Sequence, residues 1–114
     1  MIIEIGEKIH IMYRSLYENA TRRHFLGEVK AVDGTACRLE GFVFVYDKLT
    51  TEFSRKPEKR TTIIDLSESG YISNIIDPEI ILEDVIYKYS KGVGLIATDN
   101  KSFSLDINEF SSRS

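Results

Sequence analysis

His24-Phe25-Leu26-Gly27-Glu28-Val29-Lys30-Ala31-Val32-Asp33-Gly34-Thr35-Ala36-Cys37-Arg38-Leu39-Glu40-Gly41-Phe42-Val43-Phe44-Val45-Tyr46-Asp47 is the stretch that decides the fold. Two runs rich in β-favouring residues meet at Val32-Asp33-Gly34, so 24–32 and 35–47 read as a β-hairpin. Two registers compete. A two-residue turn at Asp33-Gly34 sets Val29 against Arg38 and Ala31 against Ala36, mixing apolar and charged groups on one face. A three-residue loop, with Gly34 in the left-handed position of a bulge, brings Phe25, Gly27, Val29 and Ala31 beside Cys37, Leu39 and Gly41. The second register buries an apolar face and is the one expected. Past Gly41 both faces turn apolar, with Val43 and Val45 on one side and Phe42, Phe44 and Tyr46 on the other. A strand that is half-exposed before a glycine and buried on both sides after it is expected to bend there.

The flanking sequence continues the β pattern. Over Lys8 to Arg14, Ile9, Ile11 and Tyr13 alternate with His10 and Met12, as on a strand. The polar stretch 14–23 reads as a loop. Thr51 to Arg55 starts a strand that ends near Pro57, Arg60 to Leu66 is another, and Ser67-Glu68-Ser69-Gly70 turns the chain into Tyr71 to Ile76. Asp77-Pro78-Glu79 has the form of an N-cap, a first-position proline and an acidic first turn, which predicts a short helix through about Asp84. Val85 to Tyr89 returns to strand. A last hairpin pairs 94–98 with 102–107 about Asp99-Asn100, with Phe103, Leu105 and Ile107 inward, and 111–114 is a frayed tail. The expected fold is mainly β: a small bent antiparallel barrel with a short helix and a C-terminal β-hairpin. One domain, 1–110, would hold a core barrel at about 8–76 and an extension at 77–110.

Phe25-x-Gly27-x-Val29-x-x-x-Asp33 and the later Ser69-Gly70-Tyr71-Ile72-Ser73-Asn74-Ile75 resemble the two conserved segments of Sm-like barrels. The resemblance covers roughly residues 22 to 76 and implies the five-stranded bent barrel shared by Sm-like and SH3-like folds. In that family a Met-Asn pair after the aspartate and an Arg-Gly pair in the second segment make an RNA pocket. Here Gly34-Thr35-Ala36-Cys37 follows the aspartate and Ser69 replaces the arginine. Both departures fall where RNA would be held, so the resemblance implies the fold rather than the activity.

Composition sets the outer bounds. With 114 residues, 42% hydrophobic and 29% charged, the chain has ordinary globular usage and suits one core. No apolar run approaches the ~20 residues of a membrane span, and Met1-Ile2-Ile3-Glu4-Ile5 lacks the pattern of a signal peptide. A single cysteine, Cys37, fits a reducing compartment, so a soluble cytoplasmic protein without membrane association is expected. The net charge of −3 is unevenly spread: residues 1–60 carry 11 Lys and Arg against 9 Asp and Glu, and the remainder 4 against 9.

Chemistry is sparse. Ser54-Arg55-Lys56-Pro57-Glu58-Lys59-Arg60 holds four basic residues in seven, and Arg22-Arg23 adds two. Clustered cations neutralise phosphates, so Arg22, Arg23, Arg55, Lys56, Lys59 and Arg60 are the candidate nucleic-acid or anion site. The competing reading is a solvated loop whose proline and charges discourage edge pairing. Phe42 and Phe44 have the spacing of strand aromatics that stack bases. Glu40 stands where that motif has a cation and Asp47 where it has an aromatic, so they are read as core. His10, His24 and Cys37 show no metal or nucleophile spacing, and no catalytic residue, metal or cofactor is expected. The carboxylates Asp65, Glu68, Asp77, Glu79, Glu83, Asp84, Asp106 and Glu109 would serve a small hydrolase only if folding paired two of them in a cleft. Three functions are therefore carried forward. The first is a non-catalytic module that binds a protein partner or self-associates through exposed strand edges. The second is sequence-independent nucleic-acid binding through the basic loop, and the third is the carboxylate hydrolase.

Overall fold

The computed structural model describes residues 2–13, 22–47, 49–50, 52–67 and 71–107. The chain forms two compact units, Met1–Pro78 and Glu79–Ser114. The first contains β1 (Lys8–Tyr13), β2 (Arg23–Asp33), β3 (Ala36–Asp47), β4 (Glu52–Arg55), β5 (Arg60–Asp65) and β6 (Tyr71–Ile76). These make one antiparallel sheet in the order β4-β3-β2-β1-β6, with β5 also on β3. The long strand β3 serves two partners: Ala36–Gly41 pairs with β5 and Phe44–Asp47 with β4. Between them the Lys56 N–H donates to the Val43 carbonyl at 2.8 Å, so the edge stays tied to β3 across Pro57.

The hairpin register settles as the apolar face demands, but by a different device. Val29 lies opposite Leu39, Gly27 opposite Gly41 and Phe25 opposite Val43, as expected. The extra residue, however, is not in the loop. The turn is the two-residue Gly34-Thr35, closed by Asp33 opposite Ala36, and the shift comes from a bulge between Val29 and Ala31. Ala31 therefore faces Arg38 rather than Cys37. Gly34 takes φ +63°, the first-position geometry that a primed hairpin turn assigns to glycine. The resulting interior is a cluster of Ile9, Ile11, Phe25, Val29, Cys37, Leu39 and Ile64, with half-buried Val43, Leu66 and Tyr71 packed on it. The pairing of β3 with β5 ends at Gly41, where a β-carbon would fall on the Leu26 carbonyl oxygen and lie 2.5 Å from Gly27 Cα. Two facing glycines let β2 and β3 approach more closely than side chains allow.

Two expectations are corrected. The sheet does not close as a barrel: among the described residues no pairing joins β6 to β4 or β5. The expected helix at 77–84 shrinks to a 3₁₀ turn, Leu82–Asp84, entered from an extended Ile81 with no side-chain cap. Burial explains this, because Ile80, Leu82 and Val85 are all buried, a spacing that a helix would distribute round its circumference. The second unit continues with β7 (Ile86–Ser90), β8 (Gly94–Thr98) and β9 (Ser104–Asp106), an antiparallel sheet in the order β7-β8-β9. The expected C-terminal hairpin is present as β8 and β9. Their connection is held by Asp99 Oδ1, which accepts the N–H groups of Lys101 and Phe103 at 2.8 and 3.0 Å. No helix among the described residues is long and apolar enough to cross a membrane. The polar stretch 14–21, the turn residues 68–70 and the tail 108–114 lie outside the described residues.

Candidate functional site

The six candidate cations do not form one patch. Arg55 closes β4 opposite Phe44, Arg60 opens β5 opposite Gly41, and Lys56 and Lys59 lie exposed between them. These four therefore line one sheet edge, where β3 passes from β5 to β4. Lys59 comes within 3.9 Å of Glu40 Oε1, so part of that charge is balanced on the spot. Arg22 and Arg23 lie across the sheet at the start of β2. Consecutive residues of an extended chain face opposite ways, which sends Arg23 to the side of Val45 and Arg22 to the side of Tyr46.

On that second side the structure assembles a run of rings that the sequence reading had not singled out. The Arg22 guanidinium lies 5.2 Å from the Tyr46 ring centroid. Tyr46 and Phe53, register partners on β3 and β4, have centroids 5.3 Å apart. Phe53 lies 4.7 Å from His24, tilted by 33°, and His24 meets His10 edge-on at 5.3 Å. Arg55 lies over Phe42 at 4.8 Å. Exposure grades along the run: His10 and His24 are buried, while Tyr46 and Phe53 are half-buried. The available signal was their symmetric placement about the turn at 47–52, one aromatic on each arm. Phe42 and Phe44 are buried core residues.

The titratable groups have structural settings. Burial, helped by the neighbouring His24 charge, pushes His10 from 6.5 down to about 3. Desolvation pushes the buried Cys37 thiol up, away from the reactive thiolate. Asp65 is held below the usual carboxylate range, first by the Ser67 N–H and then by the hydroxyls of Ser67 and Thr35, all on Oδ1 at 2.7 to 2.9 Å. It therefore ties the hairpin turn to the end of β5. Among the described residues no three His, Cys, Asp or Glu side chains gather as a metal would require.

A groove of about 490 Å³ runs beside β6. Its apolar walls include Ile3, Val32, Leu66, Tyr71 and Ile75, with Ser73 from the middle of β6, and no carboxylate is among its described lining residues. Tyr71, Ser73 and Ile75 alternate along the strand, so one side-chain row of β6 forms a wall. No family model, curated protein or solved structure matches this chain.

Proposed function

We propose that the chain is a non-catalytic β module that binds by adding a strand at the free edge of β6. The observation that carries this is the undefended state of that edge. Among the described residues β6 pairs with β1 alone, and its six residues contain neither charge nor proline. Ile72 and Ile75 are 41% and 53% exposed on it. The opposite edge carries Lys56, Pro57 and Lys59, residues that discourage pairing. An incoming strand would gain main-chain hydrogen bonds from β6 and insert alternate side chains into the groove walled by Tyr71 and Ile75. The strand order, with Gly27 facing Gly41, supports reading the first unit as an opened form of the Sm-like or SH3-like barrel.

The first occupant is a second copy of the chain. Two uncharged β6 edges meet antiparallel about a two-fold axis without like-charge opposition. Light scattering at about 100 µM protein is expected to give a mass above the monomer for the native chain. Ile72→Lys with Ile75→Lys is expected to give the monomer mass with an unchanged circular dichroism spectrum, since both side chains are already exposed. A monomeric native chain would refute self-pairing and leave the strand of another protein as the occupant. A lysine variant as large as the native chain would move the interface away from β6.

A further inference from the structure

We propose that Tyr46 and Phe53, flanked by Arg22 and Arg55, form a stacking platform for single-stranded nucleic acid, separate from the β6 edge. The argument starts from the rings. Both are half-buried, so each keeps a solvated part while its body is fixed. Phe53 packs beside the buried His24 ring at 4.7 Å, and Tyr46 beside Phe53 at 5.3 Å. An aromatic surface held in place by a rigid support loses little entropy when a base covers it. Stacking tolerates every base, because each has a π-face.

The cations supply the second half of the match. Arg22 already lies over an aromatic neighbour at 5.2 Å, the use for which a guanidinium is suited beside both rings and bases. Arg55 is two residues beyond Phe53 on the same side of β4, and exposed Lys56 follows it. A phosphate backbone running along β4 from Phe53 toward Lys56 would thus meet two positive groups beyond the rings. Asp47 and Glu52, the next register pair, lie on the other face of the sheet and leave the face of the rings without a carboxylate from that pair. The sequence pointed to Arg22, Arg23, Arg55, Lys56, Lys59 and Arg60 together, whereas the structure sets Arg22 and Arg55 beside rings. Lys59 is engaged with Glu40.

The test uses fluorescence anisotropy of a labelled 12-nucleotide uridine oligomer titrated with the full chain between 50 and 200 mM salt. The native chain is expected to bind, with log affinity falling linearly against log salt. Tyr46→Leu keeps the apolar packing and removes the stacking face, and should weaken binding roughly five- to 100-fold. Arg22→Gln and Arg55→Gln should each reduce the salt slope by about one. Lys30→Gln, at the other end of β2, should leave both affinity and slope unchanged. Failure of the native chain to bind at 50 mM salt would overturn the proposal. Equal weakening by Lys30→Gln would reduce it to diffuse charge attraction and overturn the platform. Displacement by polyglutamate as effective as by unlabelled oligomer would assign the site to acidic polypeptide instead. None of these outcomes depends on the oligomeric state, so the platform and the β6 edge stand or fall separately.

Discussion

Gly41→Ala is expected to lower the unfolding free energy by on the order of 3 kcal/mol or more, a large part of what a domain of this size possesses. The added methyl would meet backbone, not a side chain that could turn aside. It would fall on the Leu26 carbonyl oxygen, 2.8 Å from the Leu26 carbonyl carbon and 2.5 Å from Gly27 Cα. Relief requires β2 and β3 to separate at Gly41, which costs ladder hydrogen bonds and opens the cluster around Val29 and Leu39. Two companions calibrate the effect. Gly27→Ala meets chiefly the end of the Phe25 ring, at 2.6 Å, and a ring can move, so its loss should be smaller. Gly34→Ala meets nothing within 4 Å but forces alanine to φ +63°, which costs roughly 1–2 kcal/mol. Urea denaturation followed by circular dichroism ranks the three. Gly41→Ala with a native midpoint would place the close approach of β2 and β3 elsewhere.

Acid should unfold the protein early, and His10 is the reason. Its imidazole is fully buried and its pKa is lowered from 6.5 to about 3, by burial first and by the His24 charge second. A base whose folded pKa lies below its unfolded value binds more protons when unfolded. The stability associated with neutral His10 is therefore complete above pH 6.5 and declines as the pH falls toward 3. The slope from this one group reaches roughly 1.4 kcal/mol per pH unit. Protonation would place a cation beside the imidazole of His24, its edge-on neighbour, which in turn carries Phe53 on the edge strand β4. His10→Leu removes the titration, so its stability should change less with pH between 6.5 and 3 than that of the native chain. Equal slopes for the two proteins would show that another group controls the acid transition.

The parts of the fold that were legible in the sequence are those written in local pairs. Alternation of Ile9, Ile11 and Tyr13 marked β1, and the turn signals at Gly34, Pro57 and Ser67 separated β2 through β5 close to their observed bounds. Gly41 was legible as a special position because the pattern changes from one apolar face to two there, and the structure seats it against the Leu26 carbonyl. The helix at 77–84 was misread because Asp77-Pro78-Glu79 carries a helix start, but the residues after it serve burial at a different spacing. The bulge at Lys30 left no local mark, since it satisfies a long-range register that the turn alone does not impose.

The site was less legible than the fold. Six cations appear in sequence as two basic clusters, and only the twist and pairing of strands show which of them stand beside rings. The assembly of Arg22, Tyr46, Phe53 and His24 joins three strands, and its members are spread over more than thirty positions of the chain. By itself, then, the amino-acid order determined the β class and the strand succession, because hydrophobic periodicity and turn residues act over a few neighbours. Tertiary structure alone decided that, among the described residues, no pairing joins β6 to β4 or β5, that β6 pairs with β1 alone, and that His10 and His24 are buried. Each of those depends on which distant strands compete for the same hydrogen bonds and the same dry volume.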